Sequence, residues 1–167
     1  MSRRALITVD RSAVTKTYSD LAQARAEVDW YRRVPWATPE LLDADLDRGV
    51  LVIARHRSAA DHREDRPAGE LAELLRRLEA AGVHHRDVHV GNVVLTGDGP
   101  RLIDWETATS ADAPSYDLHG PEASGVPVPK IHTDLGTGYR MWWGAAHRMS
   151  IRSRWGCDVP PVSAALG

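Results

Sequence analysis

The 167-residue chain has a formal net charge of −2, is 43% hydrophobic and 26% charged, and contains one cysteine. This length fits one domain or two very small lobes, and the composition is that of an ordinary globular protein. The small net charge gives no electrostatic case for nucleic acid, and a lone Cys157 excludes an intrachain disulfide. We find neither a membrane-length apolar run nor a signal-peptide core near the start. We therefore expect a cytoplasmic protein without a membrane or nucleic-acid partner.

The first third of the chain predicts a small sheet and one helix. Alternating apolar residues on either side of a turn at 10–12 indicate two short strands. A helix over 20–34 follows, with Ser19 or Asp20 as its N-cap and Pro35 close to its end. Residues 40–57 then predict a strand, a turn at 47–49 and a second strand.

The rest of the chain predicts a second helix, a loop and a strand pair. Leucines at helical spacing indicate a helix over 69–82, which Gly82 ends. A polar loop leads into strands at 92–95 and 101–104, joined by a tight turn. The proline-rich span 107–132 is expected to be irregular, and 133–152 is expected to be helical. The order of elements predicts an α+β protein.

Three polar residues around this strand pair suit phosphoryl transfer. Asp87 and Asn92 lie five residues apart on the loop, and Asp104 ends the second strand. A hairpin would bring Asn92 and Asp104 towards each other, and their amide and carboxylate oxygens suit Mg²⁺. Asp87 could then accept the proton of an attacking hydroxyl.

The same residues carry a resemblance to protein kinases. The stretch HRDVHVGN, residues 85–92, resembles the catalytic-loop pattern H-R-D-L-x-x-x-N, with valine for leucine. The stretch IDWETATSADAPSYDL, residues 103–118, looks like aminoglycoside phosphotransferases and related small kinase-like enzymes. The resemblance implies that Asp87 is the catalytic base and that Asn92 and Asp104 hold Mg²⁺ against the phosphates of ATP. Glu106 is a further candidate for the metal shell.

The resemblance extends more loosely to the first half of the chain. The stretch AVTKTY is similar to the kinase strand whose lysine holds the α- and β-phosphates, which implies that role for Lys16 and a paired Glu27 on the next helix. The stretch LVIARHR resembles the hinge strand that reads adenine. The residues implied at the adenine and beside the metal are Val14, Ile53, Ala54, His56, Val94 and Ile103.

Two departures from the kinase pattern bear on function. No glycine precedes Gly49, so the glycine-rich loop that covers the phosphates in kinases has no counterpart in this sequence. Gly120-Pro121-Glu122 and Asp134 resemble the kinase Ala-Pro-Glu segment and the Asp that follows it, but the chain ends soon afterwards.

We therefore expect a protein-kinase-like, reduced bilobal fold, with a small N-terminal sheet lobe at 1–57 and a truncated helical C-terminal lobe at 58–167. The expected activity is ATP- and Mg²⁺-dependent transfer to a hydroxyl, first of a protein serine or threonine. The alternatives are an aminoglycoside- or sugar-type kinase, a pseudokinase binding module, and a zinc hydrolase built on the histidines at 84, 85 and 89. The sequence does not indicate an oligomeric state.

Overall fold

The computed structural model describes residues 5–60 and 68–127, and these group into two compact units. The first unit combines residues 5–60 with 90–106, and the second combines 68–89 with 107–127. The strands are β1 Leu6–Val9, β2 Ala13–Thr17, β3 Leu41–Asp45, β4 Val50–Ala54, β5 Arg57–Ser58, β6 Val83–His84, β7 Val93–Thr96, β8 Gly99–Leu102 and β9 Thr109–Ser110. The helices are α1 Leu21–Arg33, α2 Ala68–Ala80, α3 Tyr116–His119 and α4 Pro121–Ser124.

The first unit contains an antiparallel sheet in the order β1-β2-β4-β3. Strand β2 lies inside it, with Lys16 opposite Ile7 on one side and Leu51 on the other. The pairing of β2 with β4 ends at Thr17 and Val50, and one further hydrogen bond follows it, from the Tyr18 N–H to Gly49 O at 2.8 Å. Gly49 has a φ of +65°, and a Cβ there would lie 2.7 Å from Tyr18 O, so both its conformation and the close approach require glycine.

Helix α1 begins and ends where the sequence signals predict. The Asp20 side chain accepts a hydrogen bond from the Ala22 N–H, and the Val34 N–H donates to Trp30 O before Pro35. Its buried face consists of Ala24, Glu27, Val28 and Tyr31. Helical spacing therefore places one carboxylate within an otherwise largely apolar stripe.

A second sheet of the first unit has the order β5-β7-β8. The tight turn between β7 and β8 pairs Val93 with Leu102. One further hydrogen bond extends this hairpin, because the Ile103 N–H donates to Asn92 O at 3.0 Å. Residues 92 and 103–104 therefore lie side by side at its open end.

The second unit is built around α2 and the short β6–β9 pair. The leucines of α2 are buried at positions 71, 74, 75 and 78, as their helical spacing predicts. Gly82 lies beyond the helix with a φ of +63°. Part of the span predicted as irregular is ordered into β9, α3 and α4, and Pro121 occupies the first turn of α4.

The α+β class predicted from the sequence is confirmed, and the architecture is that of a reduced kinase-like fold. The predicted strands and the two long helices lie within two or three residues of the predicted bounds, whereas the short strands β5, β6 and β9 were not predicted from the sequence. The described units divide the chain differently from a single boundary at residue 57, because residues 90–106 group with the first unit. The predicted helix at 133–152, with Asp134, lies outside the described residues.

Candidate active site

Lys16 lies at the centre of a buried charge cluster in the first unit. Its side chain extends from β2, is 5% exposed, and donates to Glu27 Oε1 at 2.7 Å and to Asp104 Oδ1 at 2.9 Å. Glu27 is fully buried, whereas the Asp104 side chain is 40% exposed. One ammonium group is therefore shared between an enclosed carboxylate and a more accessible one.

The electrostatics of this cluster keep Lys16 charged. Burial alone would lower the Lys16 pKa, but the carboxylates of Glu27 and Asp104 outweigh it and raise that pKa above its ordinary value. Burial raises the Glu27 pKa, and the Lys16 charge opposes that shift. With a protonated ammonium group 2.7 Å from Oε1, the ionised form of Glu27 is the one that the geometry supports.

Glu27 has a second donor that the sequence analysis missed. The Tyr18 hydroxyl donates to Glu27 Oε2, so the two carboxylate oxygens are bound by two different side chains. Tyr18 follows Lys16 by two residues, which is the spacing that places side chains on one face of an extended strand. The two-residue spacing could have indicated that Tyr18 lies beside Lys16. It does not indicate that the hydroxyl binds Glu27, because a tyrosine at the end of a strand occurs in many other settings.

Asn92 and Asp104 meet at the open end of the β7–β8 hairpin. The Asn92 side chain is buried, and the Ile103 N–H bonded to Asn92 O holds the two segments together. Asp104 has a φ of +66°, a left-handed conformation that is uncommon outside glycine. Its bond to Lys16 and the packing of the next residues hold this backbone in place.

The residues at 104–106 each contact the first half of the chain. Asp104 bonds to Lys16 in β2, and Glu106 accepts a hydrogen bond from the Gln23 side chain in α1. Trp105 is 1% exposed and stacks on Trp30 of α1 at a centroid distance of 6.0 Å. The segment that carries Asp104 is thereby fixed to the helix that carries Glu27.

Residues 53–56, which resemble the kinase hinge, differ in whether their backbone N–H groups already have an acceptor within the protein. The Ala54 N–H donates to Glu40 O and the Arg55 N–H donates to Ser12 O, both at 2.8 Å. Ile53 lies inside the sheet opposite Val14. The described part of the chain provides no hydrogen-bond acceptor for the His56 N–H. Val94, the other residue implied to face the ring, lies on β7 and is buried, and Ile103, implied to lie beneath the metal site, comes just after β8.

Two backbone N–H groups of the turn between β1 and β2 are bound by a side chain of the turn itself. The Asp10 carboxylate accepts from the Ser12 N–H at 2.8 Å and from the Ala13 N–H at 2.7 Å. These hydrogen bonds hold the pKa of Asp10 below its ordinary value. The turn is closed by its own side chain in the manner of an Asx-turn.

In the second unit, one buried carboxylate fixes the loop that carries Asp87. Asp117 is 1% exposed and accepts from the His85 and Arg86 N–H groups, both at 2.7 Å. Arg86 has a φ of +68°, and its guanidinium group donates to Thr107 O and Pro127 O. Burial lowers the Arg86 pKa from its ordinary value. Asp117 was missed as a loop anchor, although its stretch SYDL carried part of the resemblance.

Of the histidines near Asp87, His84 is occupied by structural contacts at both ring nitrogens. His84 is fully buried, and its Nδ1 accepts from the Tyr116 N–H at 3.0 Å. Its Nε2 therefore carries the proton and donates to Ala111 O at 3.0 Å. His89 Nε2 lies 3.8 Å from Asp87 Oδ2. Because both His84 ring nitrogens bind backbone groups, the zinc alternative loses one of its ligands.

A sequence profile of the phosphotransferase enzyme family called APH matches residues 13–120, more than half of the chain. The chain belongs to this family. It is also 35% identical over 92 residues to a protein of Thermomonospora curvata named probable serine/threonine-protein kinase PkwA. That match covers 55% of this chain but 11% of the relative. Together they confirm the kinase-like superfamily predicted from the sequence.

Membership of the APH family fits the segment that follows Asp104. The profile extends through Asp117, which anchors the loop of Asp87 in the structure. The profile ends at residue 120, so the comparison with the Ala-Pro-Glu segment of protein kinases falls almost entirely beyond it. Among the described residues, no helix combines the length and apolarity needed to cross a bilayer.

Proposed function

We propose that this APH-family protein is an ATP- and Mg²⁺-dependent phosphotransferase that moves the γ-phosphoryl group to a hydroxyl acceptor. The observation that carries the proposal is the bridging position of Lys16, which binds Glu27 and Asp104 at the same time. The resemblance implies Lys16 for the α- and β-phosphates, Glu27 as the partner of Lys16, and Asp104 as a ligand of Mg²⁺. Lys16 and Asp104 are 88 residues apart in sequence and still form a hydrogen bond. Lys16 and Glu27 are also buried, and charged residues are rarely buried unless they are paired.

The donor atoms of Asn92 and Asp104 fit a magnesium ion. Both are hard oxygen ligands, and a pair of side-chain ligands suits an ion that keeps several waters and binds phosphate oxygens. When bound, the ion would neutralise charge on the phosphates. Glu106 is bonded to Gln23, so its carboxylate serves to hold α1 whether or not it also approaches the metal.

Each remaining residue has a defined part in the proposed reaction. Lys16 neutralises the α- and β-phosphates, and Asp87 accepts the proton of the acceptor hydroxyl. A bond forms between the acceptor oxygen and the γ-phosphorus, while the bond from that phosphorus to the β–γ bridging oxygen breaks and ADP leaves. The adenine is read by the hinge, where the His56 N–H is the donor and Val14 and Val94 supply apolar surface, while Ile103 lies beneath the metal site.

The acceptor class separates two versions of this function. A protein serine or threonine is the first candidate, and the name of the Thermomonospora relative, a probable serine/threonine-protein kinase, supports it. A small-molecule hydroxyl, as in aminoglycoside- or sugar-type kinases, is the second candidate. It is supported by the APH profile and by Asp117, the residue of the SYDL stretch that anchors the Asp87 loop.

The proposal is tested with γ-labelled ATP and Mg²⁺, using wild type and Asp87→Asn. Each is incubated with a generic protein substrate and, separately, with aminoglycosides and sugars. We expect transfer by wild type to one acceptor class and a loss of at least a hundredfold in Asp87→Asn. Transfer that is equal in both proteins contradicts the role of Asp87.

A binding assay distinguishes an enzyme from a pseudokinase. ATP at about 100 times its Kd stabilises a protein by about 2.7 kcal/mol, which thermal unfolding detects. A Mg²⁺-dependent shift without transfer to any acceptor favours the pseudokinase alternative. Absence of both transfer and shift contradicts the proposed function.

A further inference from the structure

The Glu27 carboxylate depends on two donors that differ in charge. Lys16 donates to Oε1 at 2.7 Å, and the Tyr18 hydroxyl donates to Oε2. Glu27 is 0% exposed and Tyr18 is 5% exposed, so the hydrogen bonds that Glu27 would have in water are replaced by these two. The orientation of the carboxylate is therefore set by a neutral hydroxyl as well as by the ammonium group.

Tyr18 is itself held by the backbone. Its N–H donates to Gly49 O at 2.8 Å, directly after the β2–β4 pairing. Gly49 also lies close to the Tyr18 carbonyl, since a Cβ on Gly49 would come within 2.7 Å of Tyr18 O, so the backbone on both sides of the Tyr18 Cα is in contact with residue 49. Since a buried tyrosine ring turns about only two side-chain bonds, its hydroxyl is a well-placed donor.

The geometry points to Tyr18 as a positioning residue for the Lys16–Glu27 pair, and this inference rests on the proposed function of Lys16. The Tyr18 hydroxyl holds Oε2 so that Oε1 faces the ammonium group. Lys16 is also bonded to Asp104 at 2.9 Å, so two carboxylates compete for it. Without the hydroxyl, Glu27 turns away, Lys16 shifts towards Asp104, and the ammonium group is less available to phosphates.

Tyr31 provides a matched control on the same helix as Glu27. It lies one helical turn after Glu27 and is 1% exposed. Its hydroxyl is buried without a hydrogen-bond partner in the described part of the chain. Tyr31→Phe therefore removes the same atom as Tyr18→Phe, from a similarly buried ring, without removing a bond to Glu27.

The test compares the affinities of ADP and adenosine, with Mg²⁺ present, in wild type, Tyr18→Phe and Tyr31→Phe. Only ADP has phosphates for Lys16, so we expect Tyr18→Phe to weaken ADP binding about tenfold and to leave adenosine binding unchanged. The Tyr31 hydroxyl lies near the same charges but makes no hydrogen bond to them, so Tyr31→Phe should weaken ADP binding much less than Tyr18→Phe and leave adenosine binding unchanged. Equal weakening of ADP and adenosine in Tyr18→Phe would indicate a merely structural role and overturn the inference.

A double-mutant cycle tests whether Tyr18 acts through Glu27. In a Glu27→Gln background, we expect Tyr18→Phe to change ADP affinity by less than about twofold. A full tenfold effect in that background contradicts the inference. The conservative change also separates loss of the hydroxyl from loss of the ring, because phenylalanine keeps the packing.

A stability measurement separates this inference from the proposed function. If wild type binds neither nucleotide nor adenosine, the proposed function fails, and the same cycle is measured on the urea midpoint of unfolding. If the shifts in urea midpoint caused by Tyr18→Phe and Glu27→Gln are not additive, the contact between Tyr18 and Glu27 contributes to stability, and the positioning role remains supported without nucleotide binding. Additive shifts overturn it regardless of nucleotide binding.

Discussion

Asp117 is a single buried side chain on which the geometry of the Asp87 loop depends. It accepts two backbone N–H groups at 2.7 Å, one of them from Arg86 with its left-handed φ of +68°. A non-glycine residue in that conformation stores strain of about 1–3 kcal/mol, which neighbouring contacts must offset. The carboxylate of Asp117 is one such contact, because it accepts the N–H of Arg86 itself at 2.7 Å.

We predict that Asp117→Asn lowers the free energy of unfolding by about 1–3 kcal/mol, since an amide has one acceptor oxygen in place of two. Phosphoryl transfer should fall together with stability, because the loop of Asp87 loses its anchor. Urea unfolding and the labelled-ATP assay measure the two effects. Asp112→Asn, at an exposed position of the same unit, is the control and should change neither. An unaltered urea midpoint in Asp117→Asn contradicts the anchoring role.

At the scale of elements, the three residues 104–106 connect the hairpin end to β2 and α1. Asp104 bonds to Lys16, Trp105 stacks on Trp30, and Glu106 binds Gln23. An aromatic pair contributes about 0.5–1.5 kcal/mol beyond its buried area. The helix that carries Glu27 is therefore held by contacts on both sides of the Lys16 bridge, which keeps the charge cluster assembled.

The β1–β2 turn supplies a pH-dependent prediction at the same scale. Hydrogen bonds from the Ser12 and Ala13 N–H groups lower the Asp10 pKa from its ordinary value near 3.8. A carboxylate with a lowered folded pKa contributes stability above its unfolded pKa, and loses it as the pH falls through the folded value. Asp10→Asn keeps an acceptor oxygen but removes the charge.

We therefore expect wild type to be more stable than Asp10→Asn at pH 7, with a difference that shrinks as the pH falls below about 4. Thermal unfolding between pH 7 and pH 3 measures it. Asp29→Asn removes an exposed charge from α1 in the same unit and should show no comparable trend. A stability difference that is constant over this range would show that the Asp10 charge does not hold the turn.

For the whole molecule, local patterns predict elements better than they predict contacts. The strands and long helices follow from side-chain periodicity and from caps such as Asp20, because these depend on neighbours in sequence. Kinase-like spacing also indicates Lys16, Glu27 and Asp104, which the structure brings together. The roles of Tyr18 and Asp117 were missed, since their hydrogen-bond partners are selected by tertiary packing. The ordered turns at 109–124 were missed because prolines weaken periodic signals.

The grouping of residues into two units yields a prediction about where a nucleotide stabilises the molecule. Lys16, Asn92 and Asp104, the proposed phosphate and metal residues, all belong to the first unit, whereas Asp87 belongs to the second. A ligand at about 100 times its Kd stabilises the state it binds by about 2.7 kcal/mol. Amides that exchange through opening of the first unit should then exchange about a hundredfold more slowly.

Hydrogen exchange with and without Mg²⁺ and ATP measures this effect segment by segment. We expect new protection in residues 5–60 and 90–106, with the largest change in β2, α1 and the hairpin end. Asp104→Asn is the control. Addition of Mg²⁺ and ATP should protect this variant much less than wild type, because Asp104 is both a proposed metal ligand and a partner of Lys16. Protection confined to residues 68–89 and 107–127 would place the nucleotide away from Lys16. That result would contradict the proposed site while leaving the family membership intact.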